Sequence, residues 1–429
     1  MKFGSPMSRE LWDSPLQGLT EARRLVKPAD EGAKMNKPRD RSPPPRRPET
    51  DIVQLGRDPA QQHGFVNTPV YRGSTVLFPT LAALEAQDQD YVYGRRGTPT
   101  QRALQEAVCA LEGGSLTLLA PSGLSAIAAA LLAFVKSGDR VLVSDSVYGP
   151  TRRFCDRVLK RFGVETTYYD PLIGGGLAEL MDERTSVVFT ESPGSLTFEV
   201  QDLPAIAAAA HAGRATVMLD NTWATPLFFK PFEHGVDVSI QSGTKFIVGH
   251  ADALIGMMTA TGEAAEMLHA THGDLGLCPG PDDVFLALRG LRSLSARLER
   301  HMRSGLELAR WLERRPEVSR VIYPALETDP GHAIWARDFS GAPGLFSVVL
   351  KPAPKRALAA MMDGLEIFAM GWSWGGFESL AVVFDPTQLR SAVPWSGEGP
   401  ALRLHVGLED VGDLKRDLSE GFERLKAAS

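Results

Sequence analysis

The sequence predicts an α/β protein, with a mostly parallel central sheet in a large domain and a smaller α+β domain at the C-terminal end. Three observations predict it. Between Ser115 and Met258, short apolar runs alternate with Ala- and Leu-rich helical patterns, the rhythm of strand–helix–strand units that bury both faces of a sheet. After about Asp283 the pattern changes to long amphipathic helices and isolated strands such as Leu345–Leu350. A chain of 429 residues exceeds what one core usually supports, and 43% hydrophobic with 23% charged residues fits neither a disordered chain nor a polytopic membrane protein.

The elements follow in chain order. The first fifty residues hold 11 Lys+Arg against 7 Asp+Glu and include the run Ser42-Pro43-Pro44-Pro45-Arg46-Arg47-Pro48. Proline lacks an N–H donor and restricts its neighbours, so residues 1–50 read as a disordered, basic, Pro-rich tail. Ser115–Ala120 reads as a strand and Ser122–Lys136 as a helix. Arg140–Asp145, Val164–Tyr169, Thr185–Thr190, Thr216–Asp220, Val236–Gln241 and Ala253–Met258 continue the strand series, with helices at Pro150–Phe162 and Leu203–His211. Val284–Trp311 has the period of one long helix. The formal charge of -6 argues against nucleic acid as the main partner. No window of about 18 apolar residues predicts a membrane span. Cys109, Cys155 and Cys278 are odd in number and widely spaced, which argues against a disulfide framework or structural zinc and suits a reducing cytoplasm.

In parallel sheets ligands bind beyond the carboxyl ends of the strands, so chemistry is sought there. Ser122-Gly123-Leu124-Ser125 joins a strand to a helix N-terminus. Its free amides suit a phosphate, although a plain N-cap by Ser122 explains the same residues. Asp220 ends an apolar strand as either an Asx-turn or a buried anion awaiting a cation. Lys245, in Ser242-Gly243-Thr244-Lys245-Phe246, follows another buried strand. Read alone it is a surface lysine; desolvated, it becomes an amine that can condense with a carbonyl. Together, a phosphate cradle, a carboxylate and an amine at the ends of one sheet meet the needs of pyridoxal phosphate.

The longer motifs carry a resemblance. Tyr91-Val92-Tyr93-Gly94-Arg95-Arg96-Gly97-Thr98-Pro99-Thr100, Asp220-Asn221-Thr222-Trp223, Ser242-Gly243-Thr244-Lys245-Phe246-Ile247-Val248-Gly249-His250, Ser373-Trp374-Gly375-Gly376-Phe377-Glu378-Ser379 and Arg403-Leu404-His405-Val406-Gly407-Leu408-Glu409-Asp410 resemble the trans-sulfuration (Cys/Met metabolism) family of pyridoxal-phosphate enzymes, nearest its bacterial β-lyase branch. The resemblance runs from about Val66 to the C-terminus. It implies the fold of the aspartate aminotransferase type (fold type I), with Lys245 as Schiff-base lysine and general base, Asp220 on the pyridine nitrogen and Tyr148 stacked on the ring. It implies a phosphate held by the amides of Gly123 and Leu124 and the hydroxyls of Ser242 and Thr244, with Tyr93 and Arg95 reaching the phosphate of a neighbouring subunit. Arg403, Ser373 and Trp374 are then the substrate-binding residues, and no metal is expected.

The resemblance also implies a homo-oligomer, a dimer of dimers, with residues 51–97 as an arm on the neighbouring subunit, 98–290 as the cofactor-binding domain and 291–429 as the C-terminal domain. The expected reaction is α,β-elimination of an amino-acid thioether, L-cystathionine, to homocysteine, pyruvate and ammonia. A γ-lyase, a γ-synthase or a broad cysteine-S-conjugate β-lyase is the alternative. A regulatory protein that keeps the fold without catalysis would be expected to lose Lys245 or Asp220, and both are present. Tyr148, Arg403 and the tryptophans each have a plain packing or ion-pair reading as well, and His250 and His405 read as packed histidines with no catalytic role.

Overall fold

Seven short strands form the larger sheet: β1 (Leu116–Ala120), β2 (Arg140–Ser144), β3 (Glu165–Tyr169), β4 (Thr185–Glu191), β5 (Thr216–Asp220), β6 (Val238–Ser242) and β7 (Gly256–Ala260). The computed structural model describes residues 46–395 and 399–429. The strand order is β1-β7-β6-β5-β4-β2-β3, parallel throughout except for β7, which runs against both β1 and β6. Side chains alternate across the sheet. Val141, Val143, Val187, Phe189 and Met218 pack on one face with the helices Gly123–Phe134 and Gly262–Leu275, while Leu142, Val188, Val217 and Leu219 pack on the other with Leu203–Ala212. Both faces are covered at the centre of the sheet, which is why residues 141–143, 187–189 and 217–219 read as unbroken apolar runs instead of alternating ones.

A second, four-stranded antiparallel sheet follows, made of β8 (Val318–Ile322), β9 (Leu345–Leu350), β10 (Leu380–Phe384) and β11 (Ala401–His405) in the order β10-β11-β9-β8. The helices Lys355–Asp363 and Val411–Ala427 cover it through Met361, Leu414, Leu418 and Phe422. These side chains share one apolar cluster with Leu219 of the large sheet and Val348 of the small one, so the two sheets are cemented by a continuous core. Trp223 adds a polar tie, its Nε1 donating to the Leu345 carbonyl at 3.0 Å. Among the described residues, no helix is long and apolar enough to cross a membrane.

The expected single helix Val284–Trp311 is two helices, Pro281–Leu291 and Leu294–Leu312. The break has a local cause. The carbonyl of Gly290 accepts from the Ser293 hydroxyl at 3.2 Å and the Arg297 guanidinium at 2.8 Å, and the backbone N–H of Ser293 reaches back to it at 3.1 Å, so the regular ladder is interrupted. Hydrophobic period alone does not register such a break. The segment read as a tail lies outside the described residues up to residue 45, and a helix, Pro48–Gln54, begins within its last three residues. Proline at the first helical position, where the missing N–H costs nothing, explains that start.

One carboxylate fastens the C-terminal part of the chain to the large sheet. Asp145, one residue past β2, has a fully buried side chain and accepts the backbone N–H groups of Ser391, Ala392 and Val393 at 2.9–3.1 Å, together with the Arg152 guanidinium at 2.6 Å. Burial pushes its pKa up, but the amides of Val393 and Ser391, Arg152 and the amide of Ala392 outweigh it, and the carboxyl sits below its usual range. A carboxylate whose folded pKa is depressed contributes stability above its unfolded value, about 3.9, and loses it as pH falls through the folded value. Asp145→Asn should therefore cost about 1.5–3 kcal/mol in urea unfolding at neutral pH. The cost should shrink as the titration is repeated at successively lower pH, because the wild-type carboxylate itself becomes protonated as pH falls through its depressed folded value.

Candidate active site

The site gathers at the carboxyl ends of β1, β2, β4, β5 and β6. Beyond β1, Ser122 caps the helix Gly123–Phe134: its hydroxyl accepts from Ser125 N at 3.1 Å, and the Ser125 hydroxyl in turn accepts from Ser122 N at 2.9 Å. This reciprocal box satisfies two donors of the first turn, leaving the amides of Gly123 and Leu124 with no carbonyl inside the helix to meet. Gly123 lies so close to β6 that a Cβ there would stand 2.6 Å from the Ser242 hydroxyl. Glycine is thus required for the turn to meet Ser242, which brings that hydroxyl beside a helix N-terminus whose free amides suit an anion.

The lysine turn follows β6 directly. Lys245 N donates to the Ser242 carbonyl at 3.0 Å, and Gly249 N donates to the Lys245 carbonyl at 2.8 Å. From the helix Leu294–Leu312, the buried Arg297 donates to the carbonyls of Phe246 at 2.6 Å and Ile247 at 3.2 Å. Gly249, at φ 71°, has no room for a side chain beside that guanidinium. Thr244 lies on the same turn. Its hydroxyl accepts from Ile255 N at 2.9 Å and faces the Ile255 carbonyl at 3.3 Å, so it fastens the turn to the segment before β7. Of the two hydroxyls expected on the phosphate, Ser242's is the one without a protein partner among the described residues.

The lysine amine meets a loop from the smaller sheet. Lys245 Nζ donates to Ser373 Oγ at 2.6 Å, and Arg403 of β11 donates through Nη2 to the Ser373 carbonyl at 2.8 Å. Burial, then the charge of Arg403, lower the lysine pKa to about 8, with Asp220 opposing. The Trp374 ring lies against Phe246, and its centroid is 5.3 Å from the lysine nitrogen. Trp374 therefore packs against the lysine turn, and Trp372, 77% exposed, is the tryptophan of this loop presented to solvent. Arg403 is buried, its Nε has no partner, and burial lowers its pKa to about 10.

Asp220, at the end of β5, uses one oxygen, Oδ1, to accept from both the amide and the hydroxyl of Thr222, whose hydroxyl also accepts from Ser242 N at 2.8 Å. Burial raises its pKa despite these bonds, as expected of a carboxylate in a site built for a cation. Glu191 stands beside it in strand register and accepts Tyr148 N at 2.7 Å; burial, then the charge of Asp220, keep its proton on well above the usual range. Tyr148 stands half-exposed at the head of the helix Gly149–Phe154, its pKa raised by burial and then by the charges of Glu191 and Asp220. The run Glu191-Ser192-Pro193-Gly194-Ser195 belongs to the same family resemblance but assigns Glu191 no role; its place at the end of an apolar run is the signal for one.

Lys245, Asp220, Tyr148, Ser373, Trp374, Arg403 and the cradle thus converge on one site. Tyr93 and Arg95 do not join it. Arg95 donates to the Gly273 carbonyl at 3.1 Å and lines a separate cavity of about 530 Å³ with His269 and His272. The convergent groups fit pyridoxal phosphate: free helix amides for a phosphate, a buried carboxylate with Oδ2 unused for a ring N–H, and a desolvated amine for an aldehyde.

Fold and site together define a pyridoxal-phosphate enzyme. The family described as Cys/Met metabolism PLP-dependent enzymes matches residues 49–423, and the chain belongs to it. A Rhizobium johnstonii protein provisionally named a cystathionine β-lyase is 52% identical over 385 residues, covering 88% of this chain and 96% of that one. The cystathionine β-lyase of Escherichia coli is 42% identical over 389 residues, covering 88% and 98%. Among solved structures, cystathionine γ-synthase from Xanthomonas oryzae pv. oryzae in complex with cystathionine superposes with a TM-score of 0.83 at 31% identity, covering 90% and 100%.

The electrostatics of the lysine give a direct test. In cofactor-free protein, acylation of Lys245 followed by peptide mass spectrometry should show a pH midpoint at about 8. Because Arg403 disfavours the ammonium and Asp220 favours it, Arg403→Met should raise the midpoint and Asp220→Asn should lower it.

Proposed function

We infer that the chain is a pyridoxal-phosphate-dependent carbon–sulfur lyase that cleaves L-cystathionine by α,β-elimination, consuming one water and yielding homocysteine, pyruvate and ammonia. The observation that carries the reading is the triplet Lys245–Ser373–Arg403, an amine and a carboxylate-binding cation joined by one serine of the Ser373-Trp374-Gly375-Gly376 loop. Similarity to cystathionine β-lyases across nearly their whole length supports it.

The amides of Gly123 and Leu124 and the hydroxyls of Ser242 and Thr244 would hold the cofactor phosphate, Asp220 Oδ2 its ring nitrogen, and Lys245 its aldehyde. The bound cofactor supplies an electron sink for charge developing at the substrate Cα. Arg403 offers its guanidinium to the α-carboxylate, a charge-assisted contact that orients the substrate. Lys245 Nζ, with a pKa near 8, is neutral in a useful fraction of molecules at neutral pH. It takes the proton from Cα and delivers a proton to the departing sulfur. Ser373 Oγ accepts one N–H of the amine and limits its swing between the two positions. Tyr148 covers the mouth of the site, oriented by Glu191 through its own backbone N–H.

The proposal extends to assembly. Tyr93 and Arg95, which do not join the site of their own chain, serve the phosphate of a neighbouring subunit in a homo-oligomer, a dimer of dimers. The exposed Phe65, Val66, Leu77 and Leu81 of the arm 51–97 suit such a contact. Within the chain, 98–290 then acts as the cofactor-binding domain and 291–429 as the domain that closes over the substrate. We place the protein in the cytoplasm, in keeping with its three free cysteines.

Incubation with cystathionine should release pyruvate and homocysteine in equal amounts; 2-oxobutyrate with cysteine would instead establish γ-elimination. Lys245→Ala should lower kcat by at least the roughly 10²–10⁴-fold due to a general base. Mixing inactive Lys245→Ala subunits with Arg95→Ala subunits should restore part of the activity, because one site of the mixed pair then has both groups. Failure of complementation in a demonstrated mixed oligomer would place Arg95 outside the neighbouring site.

A further inference from the structure

We propose that His405, to which no role has been assigned, is a positioning residue for catalysis: its imidazole sets the Ser373–Gly376 loop against Lys245. The loop is unusual in its backbone. Ser373 has φ 95° and Gly375 φ 89°, the left-handed region that disfavours a side chain such as serine's and persists only when surroundings impose it. At Gly375 a Cβ would stand 2.8 Å from the Lys245 carbonyl carbon, so the loop lies directly on the backbone of the lysine turn.

The strained tip is gripped from β11 by two residues that share a strand face. Arg403 holds the Ser373 carbonyl, and two positions on, His405 Nε2 lies 3.1 Å from Gly375 N and 3.1 Å from the Gly376 carbonyl. A neutral imidazole either accepts from Gly375 or donates to Gly376 through that nitrogen, and either bond fixes the same two residues. The ring is kept neutral: it is fully buried, and burial, then His301, hold its pKa down to about 3. The far end of the loop is fastened separately, Ser379 donating its amide and hydroxyl to Glu409 at 2.8 Å each.

His405 also touches the lysine side. Its ring packs on Phe246, the residue after Lys245, at a centroid distance of 5.9 Å, and on His301 at 5.3 Å. A packed histidine needs only volume, which leucine would supply more cheaply in an apolar surround. What leucine cannot supply is the bond to Gly375 and Gly376 that carries Ser373 Oγ to within 2.6 Å of Lys245 Nζ.

The test compares three variants of the holoenzyme. His405→Gln keeps a donor and an acceptor at the reach of Nε2, His405→Asn carries them only to the reach of Nδ1, and His405→Leu keeps volume alone. Each is assayed for kcat and KM with cystathionine, the choice of substrate resting on the proposed function. Each is also titrated for the pH midpoint of the visible absorption of the bound cofactor, a readout of the Lys245 surroundings that needs no substrate. We expect His405→Asn and His405→Leu to lose on the order of 10- to 100-fold in kcat, more than any change in KM, with a displaced midpoint, and His405→Gln to recover most of both. Equal behaviour of the Gln and Asn variants, or wild-type values in either Asn or Leu, would overturn the proposal. Should His405→Leu not fold, the Gln–Asn comparison decides alone. Should wild type leave cystathionine intact, the proposed reaction fails while the absorption midpoints still decide the role of His405.

Discussion

Everything at this site depends on keeping one ammonium group partly out of water. Transferring a lysine amine from solvent to the edge of an apolar sheet disfavours its charged form, and the structure answers with partners that compensate only in part. Asp220 favours the charge, Arg403 opposes it, and Ser373 offers a neutral acceptor. Burial and Arg403 outweigh Asp220, so the amine loses its proton more easily than a free lysine, at a pKa of about 8. A single strong carboxylate contact would have fixed the proton on the nitrogen and abolished its use as a nucleophile or base.

That balance requires two sheets, and the fold divides the labour between them. The larger sheet supplies the lysine turn, the carboxylates and the helix amides from the carboxyl ends of parallel strands. The smaller one supplies Arg403 and the loop carrying Ser373. Neither half contains a working arrangement, so the ties between them are functional as well as structural. Arg297 holds the turn from behind, Trp223 links the end of β5 to β9, and Asp145 anchors the segment Ser391–Val393. A substrate carboxylate on Arg403 would neutralise the charge that now depresses the lysine pKa. Binding of substrate and basicity of the amine are therefore coupled through one guanidinium.

Much of this was legible in the sequence, for a physical reason. A sheet covered on both faces reads as apolar runs, so the positions just beyond those runs are the strand ends where ligands bind, and Asp220, Lys245 and the Ser122 turn stand there. Less legible was anything set by contacts distant in sequence. The interruption at Gly290 arises from competition for one carbonyl, which hydrophobic period does not encode. Thr244 sits beside Lys245 in the chain, yet its hydroxyl also accepts from Ile255 N, a pairing visible only once β7 runs antiparallel to β6. His405 reads as a packed histidine until the loop it grips is seen.

The same distinction explains why the loop from Trp372 to Gly376 has an odd composition. Glycine at 375 is demanded by its φ of 89° and by the lysine backbone lying under it. Serine at 373 has no such excuse, because its backbone conformation would suit glycine better. A side chain retained at a conformational cost of about 1–3 kcal/mol must contribute through its own atoms. The atom with a partner is Oγ, and that partner is Lys245 Nζ. The strained residue is thus the one whose hydroxyl meets the reactive amine, and the residues that hold its strain, Arg403 and His405, belong to the site as much as the lysine does.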